Sequence, residues 1–208
     1  KMWTAVLVLG LIAAVIAIGQ EVTSVNAVGF NKVTIAPGEF ALATLGFESF
    51  GDSSVADLLD GQFSTGKIHI WDRVATKFIG IEPGRGGVWT DATNIIYRGD
   101  AFWLENLGGA TTTVSFMGEV PYTYNQGKTT TVVNIDTIDA VGYAYPTDTA
   151  WTNTTLSQNA AVTKIHVWNE ATQVFTGIER ARGGVWDTPV VIPAGRAFWV
   201  ETSSAIDW

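Results

Sequence analysis

The stretch Lys67-Ile-His-Ile-Trp-Asp-Arg-Val-Ala-Thr-Lys-Phe-Ile-Gly-Ile-Glu-Pro-Gly-Arg-Gly-Gly-Val-Trp89 returns 97 positions later. Its second form is Lys164-Ile-His-Val-Trp-Asn-Glu-Ala-Thr-Gln-Val-Phe-Thr-Gly-Ile-Glu-Arg-Ala-Arg-Gly-Gly-Val-Trp186, and 13 of the 23 positions are identical. Unrelated segments would agree at about one or two of them, so an internal duplication is expected. The match slips by one residue before Ala101-Phe-Trp103 and Ala197-Phe-Trp199. A period of two puts Ile68 and Ile70 on one face of a strand and Lys67, His69 and Trp71 on the other. Lys67 to Asp72 and Lys77 to Glu82 then read as a hairpin across Arg73-Val-Ala-Thr76. The loop Pro83-Gly-Arg-Gly-Gly87 follows, too rich in glycine and proline for a regular element.

Outward from this core, the same logic predicts strands at Val22–Phe30, Lys32–Ala36, Glu39–Phe47, Ala101–Glu105 and Thr111–Val120. Gly51-Asp-Ser-Ser54 can cap a short helix with Val55, Leu58 and Leu59 on one face, the sole helix expected in the mature chain. The second unit repeats the order at Thr129–Asn134, Ala140–Tyr145, Lys164–Glu170, Val174–Glu179, Val190–Ile192 and Arg196–Glu201. The polar segment Pro121–Lys128 separates the units. The expected organisation is therefore residues 1–19 as a leader, 20–124 as a first β unit and 125–208 as a second. The expected fold class is all-β: two tandem homologous sandwich or barrel-like units with pseudo-two-fold symmetry, preceded by a hydrophobic signal helix.

The leader is read from Lys1, the uncharged apolar run Trp3–Ile18 and the small-x-small pattern Ala17-Ile-Gly19, which places cleavage after Gly19. An uncleaved anchor is the alternative, although 16 or 17 apolar residues are short for a hydrocarbon core of about 30 Å. The chain is thus expected to be secreted or at the cell surface, with the periplasm as the other destination, and to meet a membrane only through an uncut leader. Of 208 residues, 47% are hydrophobic and 15% charged, the balance of a chain that folds. Nine Trp and 22 Gly favour strands and tight turns. The net charge of −8, with no Lys/Arg cluster, excludes a phosphate-neutralising surface and so a nucleic-acid partner. The absence of Cys excludes disulfides, thiolate nucleophiles and Cys-based metal sites.

The candidate ligand-binding residues are Lys67, His69, Trp71, Arg85 and Trp89, with their counterparts Lys164, His166, Trp168, Arg182 and Trp186. An exposed His and Trp beside a glycine-rich loop carrying Arg could grip a sugar or an anion. The plainer reading has Trp71 covering its own hairpin and His69 making one structural hydrogen bond, and it is favoured because a duplicated core keeps such residues for packing. No metal site is expected, since His69 and His166 are the only histidines and each lacks a nearby second ligand. Glu82 and Glu179 could be imagined as a glycosidase acid and base. Local pairs Glu82–Arg85 and Glu179–Arg182, ordering the loops, are the simpler expectation. Glu105 and Glu201 read as solvent-facing strand positions. No Gly-x-Ser-x-Gly elbow and no Gly-x-x-x-x-Gly-Lys phosphate cradle occurs, so no catalytic residue and no cofactor is expected.

Ser24-Val-Asn-Ala-Val-Gly-Phe30, Val33-Thr-Ile-Ala-Pro-Gly38, Gly99-Asp-Ala-Phe-Trp-Leu-Glu105 and Phe116-Met-Gly-Glu-Val-Pro121 resemble motifs of exported all-β proteins from the Planctomycetes and Verrucomicrobia lineages. The resemblance spans most of the mature chain, though the second unit lacks the Val-Asn-x-Val-Gly opening. It implies export and a β fold and brings no catalytic residues with it. The combined expectation is a non-enzymatic structural or adhesive surface protein. If the opening strand at Val22–Ile35 has no partner in its own unit, it could complete a neighbour's sheet, making self-association one expected partnership. A glycan-binding module, with surface polysaccharide as partner, is the alternative, and a glycosidase is the weakest of the three.

Overall fold

The computed structural model describes residues 27–89, 92–120, 134–186 and 188–208. The expected leader, the first residues of the opening strand and the expected boundary at 121–128 lie outside the described residues. In chain order the elements are β1 (Ala27–Ile35), β2 (Phe40–Thr44), β3 (Glu48–Ser49), α1 (Val55–Leu59), β4 (Gly66–Asp72), β5 (Lys77–Ile81), β6 (Ala101–Asn106) and β7 (Thr112–Val120). They continue as β8 (Asn134–Ile135), β9 (Ile138–Gly142), β10 (Thr149–Ala150), a 3₁₀ turn at Trp151–Asn153, α2 (Thr155–Gln158), β11 (Val162–Asn169), β12 (Val174–Glu179), β13 (Val191–Ile192), β14 (Ala197–Thr202) and β15 (Ile206–Asp207).

The chain is predominantly β, and its strands pair antiparallel. One four-stranded sheet runs β2-β6-β4-β5 and another β9-β14-β11-β12. In each, a hairpin supplies the edge and its neighbour, and a Phe-Trp strand lies between that hairpin and an edge strand from earlier in the chain. Over the first sheet folds the ribbon β1-β7-β3, in which β1 pairs with β7 from Ala27↔Val120 to Ile35↔Thr112. The opening strand is thus one element running through Asn31 rather than two, and it is paired within its own half of the chain. Over Ala27–Ile35 the condition for donating it to a neighbour, the lack of a partner in its own half, is not met. The counterpart over the second sheet, β8 with β15, is only two residues long.

Alternation decides what is buried. Val33 and Ile35 of β1, Val114 and Phe116 of β7, Ile68 of β4 and Phe102 and Leu104 of β6 form one core with α1 and Trp89. A second core gathers Ile135, Val141, Trp151, Leu156, Val162, Ile165, Phe198 and Val200. α1 starts as expected: the Ser54 hydroxyl accepts from the Asp57 N–H at 3.1 Å, and Val55, Leu58 and Leu59 are buried. A second helix, α2, was not expected. Its cap is Thr154, whose hydroxyl accepts from the Ser157 N–H at 3.1 Å. Four residues without a Leu-Leu pair give too little periodicity to be read as a helix.

The two sheets meet through a third cluster: Leu42, Ala101, Ala140 and Ala197, flanked by Trp71, Trp103, Trp168 and Trp199. Contacts across this seam are reciprocal. Thr44 N–H donates to Gly195 O at 3.0 Å, and Gly142 N–H donates to Gly99 O at 2.8 Å. Isolated bridges join Ala43 to Arg196 and Asp100 to Val141. These contacts join matching register positions of the two sheets, Thr44 standing opposite Ala101 as Gly142 stands opposite Ala197. The backbones approach closely because small residues line the joint. A Cβ on Gly46 would fall 2.8 Å from the Tyr145 carbonyl carbon, and one on Gly142 would fall within 2.2 Å of the Thr44 Cβ.

Candidate functional site

The face of each sheet turned toward the seam is a grid of three rows fixed by strand register. In the first sheet, Lys67 stands opposite Glu105, which stands opposite Phe40; His69 lies between Gly80 and Trp103; and Trp71 faces Phe78. In the second sheet, Lys164 lies between Glu179 and Glu201, with Ile138 next across; His166 lies between Gly177 and Trp199; and Trp168 faces Phe175. Aliphatic residues occupy the opposite faces, as the period of two requires.

The charged outer row is internally satisfied. Lys67 Nζ lies 2.9 Å from Glu82 and Lys164 Nζ lies 3.0 Å from Glu179. Hydrogen bonding to these glutamates, reinforced by their charge, holds both lysines above their ordinary value of 10.5. Gly80 and Gly177 make room for this, since a Cβ on either would meet the lysine Cε at 2.6 or 2.9 Å. The expected Glu82–Arg85 and Glu179–Arg182 pairs are therefore replaced by pairs across the hairpin, where strand neighbours are closer than a loop residue. Glu105 and Glu201 are not simple solvent-facing positions either. Glu105 takes His69 Nε2 at 2.8 Å and Glu201 takes His166 Nε2 at 2.5 Å. Each histidine makes the structural hydrogen bond that the plainer reading assigned to it.

The inner rows form two aromatic trios, each sharing its rings across the seam. Trp71 packs on its own Phe78 with centroids 5.0 Å apart and meets Trp199 of the other sheet at 4.9 Å, near perpendicular. Trp168 packs on Phe175 at 4.9 Å and meets Trp103 at 4.8 Å, again edge to face. Such pairs contribute about 0.5–1.5 kcal/mol each beyond their burial. Trp71 therefore covers its hairpin, as expected, and also bridges the halves, which sequence alone did not reveal.

The polar trim of the two trios differs. Asp139 accepts from Trp71 Nε1 at 2.5 Å, from Arg73 Nε at 2.9 Å and from its neighbour's Ala140 N–H. Burial raises the Asp139 carboxyl above its ordinary value, against the opposing pull of Arg73 and the Trp71 hydrogen bond. On the other side Trp168 Nε1 donates to the Phe40 carbonyl at 3.2 Å, and Gln173 clamps the same residue by accepting from its N–H at 2.9 Å. Arg73 also pairs with Asp100 at 2.8 Å, whereas at the corresponding positions Glu170 pairs with Arg196 at 2.6 Å. The same ion pair occurs twice with its charges exchanged.

The glycine-rich loops are closed by backbone. Gly84 N–H donates to Val88 O at 2.7 Å and Ala181 N–H to Val185 O at 2.8 Å. Gly86 and Gly87 (φ 86° and 80°) and Gly183 and Gly184 (φ 101° and 82°) occupy the left-handed region that explains each Gly-Gly pair. Arg85 and Arg182 are exposed at the tips and join no ion pair among the described residues. Trp89 is 1% exposed, parallel to Phe63, with its indole N–H on the Phe63 carbonyl at 2.9 Å. It is sealed in the core and cannot touch a ligand. Trp186 is half-buried against Trp151, its N–H on Ser157 O at 3.0 Å. The loops thus follow the Lys67 and Lys164 ends of the two hairpins, while Trp71 and Trp168 stand at the opposite ends.

What the fold does bring together is a cleft of about 260 Å³ at the seam, lined by Phe40, His69, Phe78, Trp103, Trp168 and Phe175. Of the expected residues, His69 and Trp168 line it. Phe40, Phe78, Trp103 and Phe175 were missed as site residues, because each sits in an ordinary strand pattern and converges only when the sheets meet. Another cleft of about 390 Å³ lies on the far side of Trp168, between β11, β12 and residues 188–193. Among the described residues no group of three or more His, Asp or Glu could hold a metal ion, and no helix is long and apolar enough to cross a membrane. No protein-family model, no curated protein and no solved structure matches this chain.

Proposed function

We propose that the protein is an exported, non-enzymatic structural or adhesive component of the cell surface, built from two homologous β units fused end to end. One observation carries this: the side chains able to do chemistry are spent on the framework. Both histidines are held by Glu105 and Glu201, both row lysines by Glu82 and Glu179, and Asp139 takes three donors at the seam. The 97-residue repeat, the like order of the two four-stranded sheets and the reciprocal seam support the tandem origin. The leader pattern and the motif resemblance support export. Assembly by donation of the opening strand is not part of this reading, because β1 is paired along all nine residues.

Cell fractionation with protease shaving of intact cells tests it. The expected result is a surface-accessible protein whose first residue is Gln20. Quantitative recovery of the intact chain from the cytosol would sink the proposal. The glycan-binding alternative moves away from the loops, where Trp89 is sealed, and toward the seam.

A further inference from the structure

We infer that the seam cleft is a carbohydrate site, taking a pyranose ring whose hydroxyls are mainly equatorial. The inference stands on the cleft alone and does not depend on where the protein resides. The cleft is shallow and open, so a wholly apolar ligand would leave one side in water, while a wholly polar one would gain nothing from six rings. A gluco-configured ring suits both demands. Its axial C–H bonds make a flat apolar face, and its equatorial hydroxyls form a polar rim.

The surroundings supply partners for that rim. His69 lines the cleft and is paired with Glu105, a carboxylate with lone pairs to spare beyond the one bond at 2.8 Å. One row further along the same sheet face lies the Lys67–Glu82 pair, offering a donor and acceptors to a second sugar unit. A cleft walled by rings set edge to face therefore adjoins hydrogen-bonding groups that already stand in fixed positions. Preorganised groups cost little further ordering on binding. Residues of both halves complete the lining: Phe40, His69, Phe78 and Trp103 from one, Trp168 and Phe175 from the other.

The pseudo-two-fold mate of this cleft would comprise Ile138, His166, Phe175, Trp199, Trp71 and Phe78. Ile138 occupies the place of Phe40, next to Glu201 as Phe40 is next to Glu105. The mate lacks one of the six rings, so one site per chain dominates.

The test titrates the purified full chain with cellohexaose, xylohexaose and chitohexaose, following tryptophan fluorescence and calorimetry. Mannohexaose, with its axial hydroxyl, and tetramethylammonium are the comparison probes. Binding of at least one equatorial hexasaccharide at one site per chain is expected, with mannohexaose weaker. Phe40→Ile installs the residue the mate already carries and so keeps the fold. It and Phe175→Ala, at a side chain 39% exposed, should each weaken binding about tenfold, with near-UV circular dichroism unchanged. Silence of all three hexasaccharides, binding untouched by both substitutions, or tetramethylammonium binding with the sugars silent would overturn the inference.

Discussion

Gly142 is the position where the seam can be tested most sharply. It ends β9, carries no positive φ, and therefore refuses a methyl group for lack of space alone. A Cβ there would lie 1.9 Å from Thr44 Oγ1, 2.2 Å from its Cβ and 2.6 Å from its Cγ2. Thr44 cannot swing away: it is 1% exposed, branched at Cβ, and its N–H is tied to Gly195 across the joint at 3.0 Å. Overpacking of this kind costs about 1–3 kcal/mol. If relief comes by opening the joint, the Gly142–Gly99 hydrogen bond weakens as well, adding about 1 kcal/mol. Gly142→Ala should therefore cost about 2–4 kcal/mol in urea unfolding followed by tryptophan fluorescence. Gly109→Ala, where nothing lies within 4 Å of the new Cβ, should stay within about 0.5 kcal/mol. Thr44→Gly removes the obstacle at a cost of about 1 kcal/mol for a glycine in a strand, and gives up a hydroxyl that has no hydrogen-bond partner. The double variant should be more stable than the summed single effects by at least about 1 kcal/mol. Additivity within about 0.5 kcal/mol would refute the claim that the halves interlock at this point.

Other outcomes follow from the same geometry. Trp89→Ala should cost about 3–5 kcal/mol, while Arg85→Ala and Arg182→Ala stay within about 0.5 kcal/mol, all read from urea midpoints; a large loop effect would show that the arginines order the loops. Asp139 has a folded-state value raised by burial above 3.8, so its stabilising contribution is full below the unfolded value and lost as pH rises through the folded one. Comparing wild type with Asp139→Asn, the stability difference should move in favour of wild type as the solution is acidified from neutrality, and movement the other way would contradict the burial argument. Lys67 and Lys164 are raised above 10.5, so their contribution is full below 10.5 and lost as pH rises through the folded values. In thermal melts the wild-type alkaline decline should be steeper than that of Lys67→Met/Lys164→Met, and equal slopes would show that the pairs contribute nothing.

The local half of the fold was legible in the sequence, and the non-local half was not. The hairpin of β4 and β5 and the Ser54 cap follow from alternation and capping chemistry within a few residues. The two-residue strands β3, β10 and β15 carry no periodicity and exist only because a distant strand is there to pair with them. For the candidate site the limit is the same. Period two separated His69 and Trp71 from the aliphatic face correctly, but could not say that this face meets another sheet. Grouping residues by repeat therefore joined Trp71 to Arg85, which the fold separates, and missed Trp168 beside Trp103, 65 residues apart in sequence and in edge-to-face contact. Glu105 was read as solvent-facing because its partner, His69, stands on the neighbouring strand.

The exchanged ion pairs bear on which halves can mate. Arg73 relies on Asp139 across the joint, and the position matching Asp139 in the first sheet is Ala41. Two copies of the first half brought together would leave each Arg73 without its opposing acid. Two copies of the second would drive Asp139 against Glu170, acid upon acid. Only unlike halves are compatible, so the joint discriminates a first half from a second by charge and rejects the pairing of two identical halves.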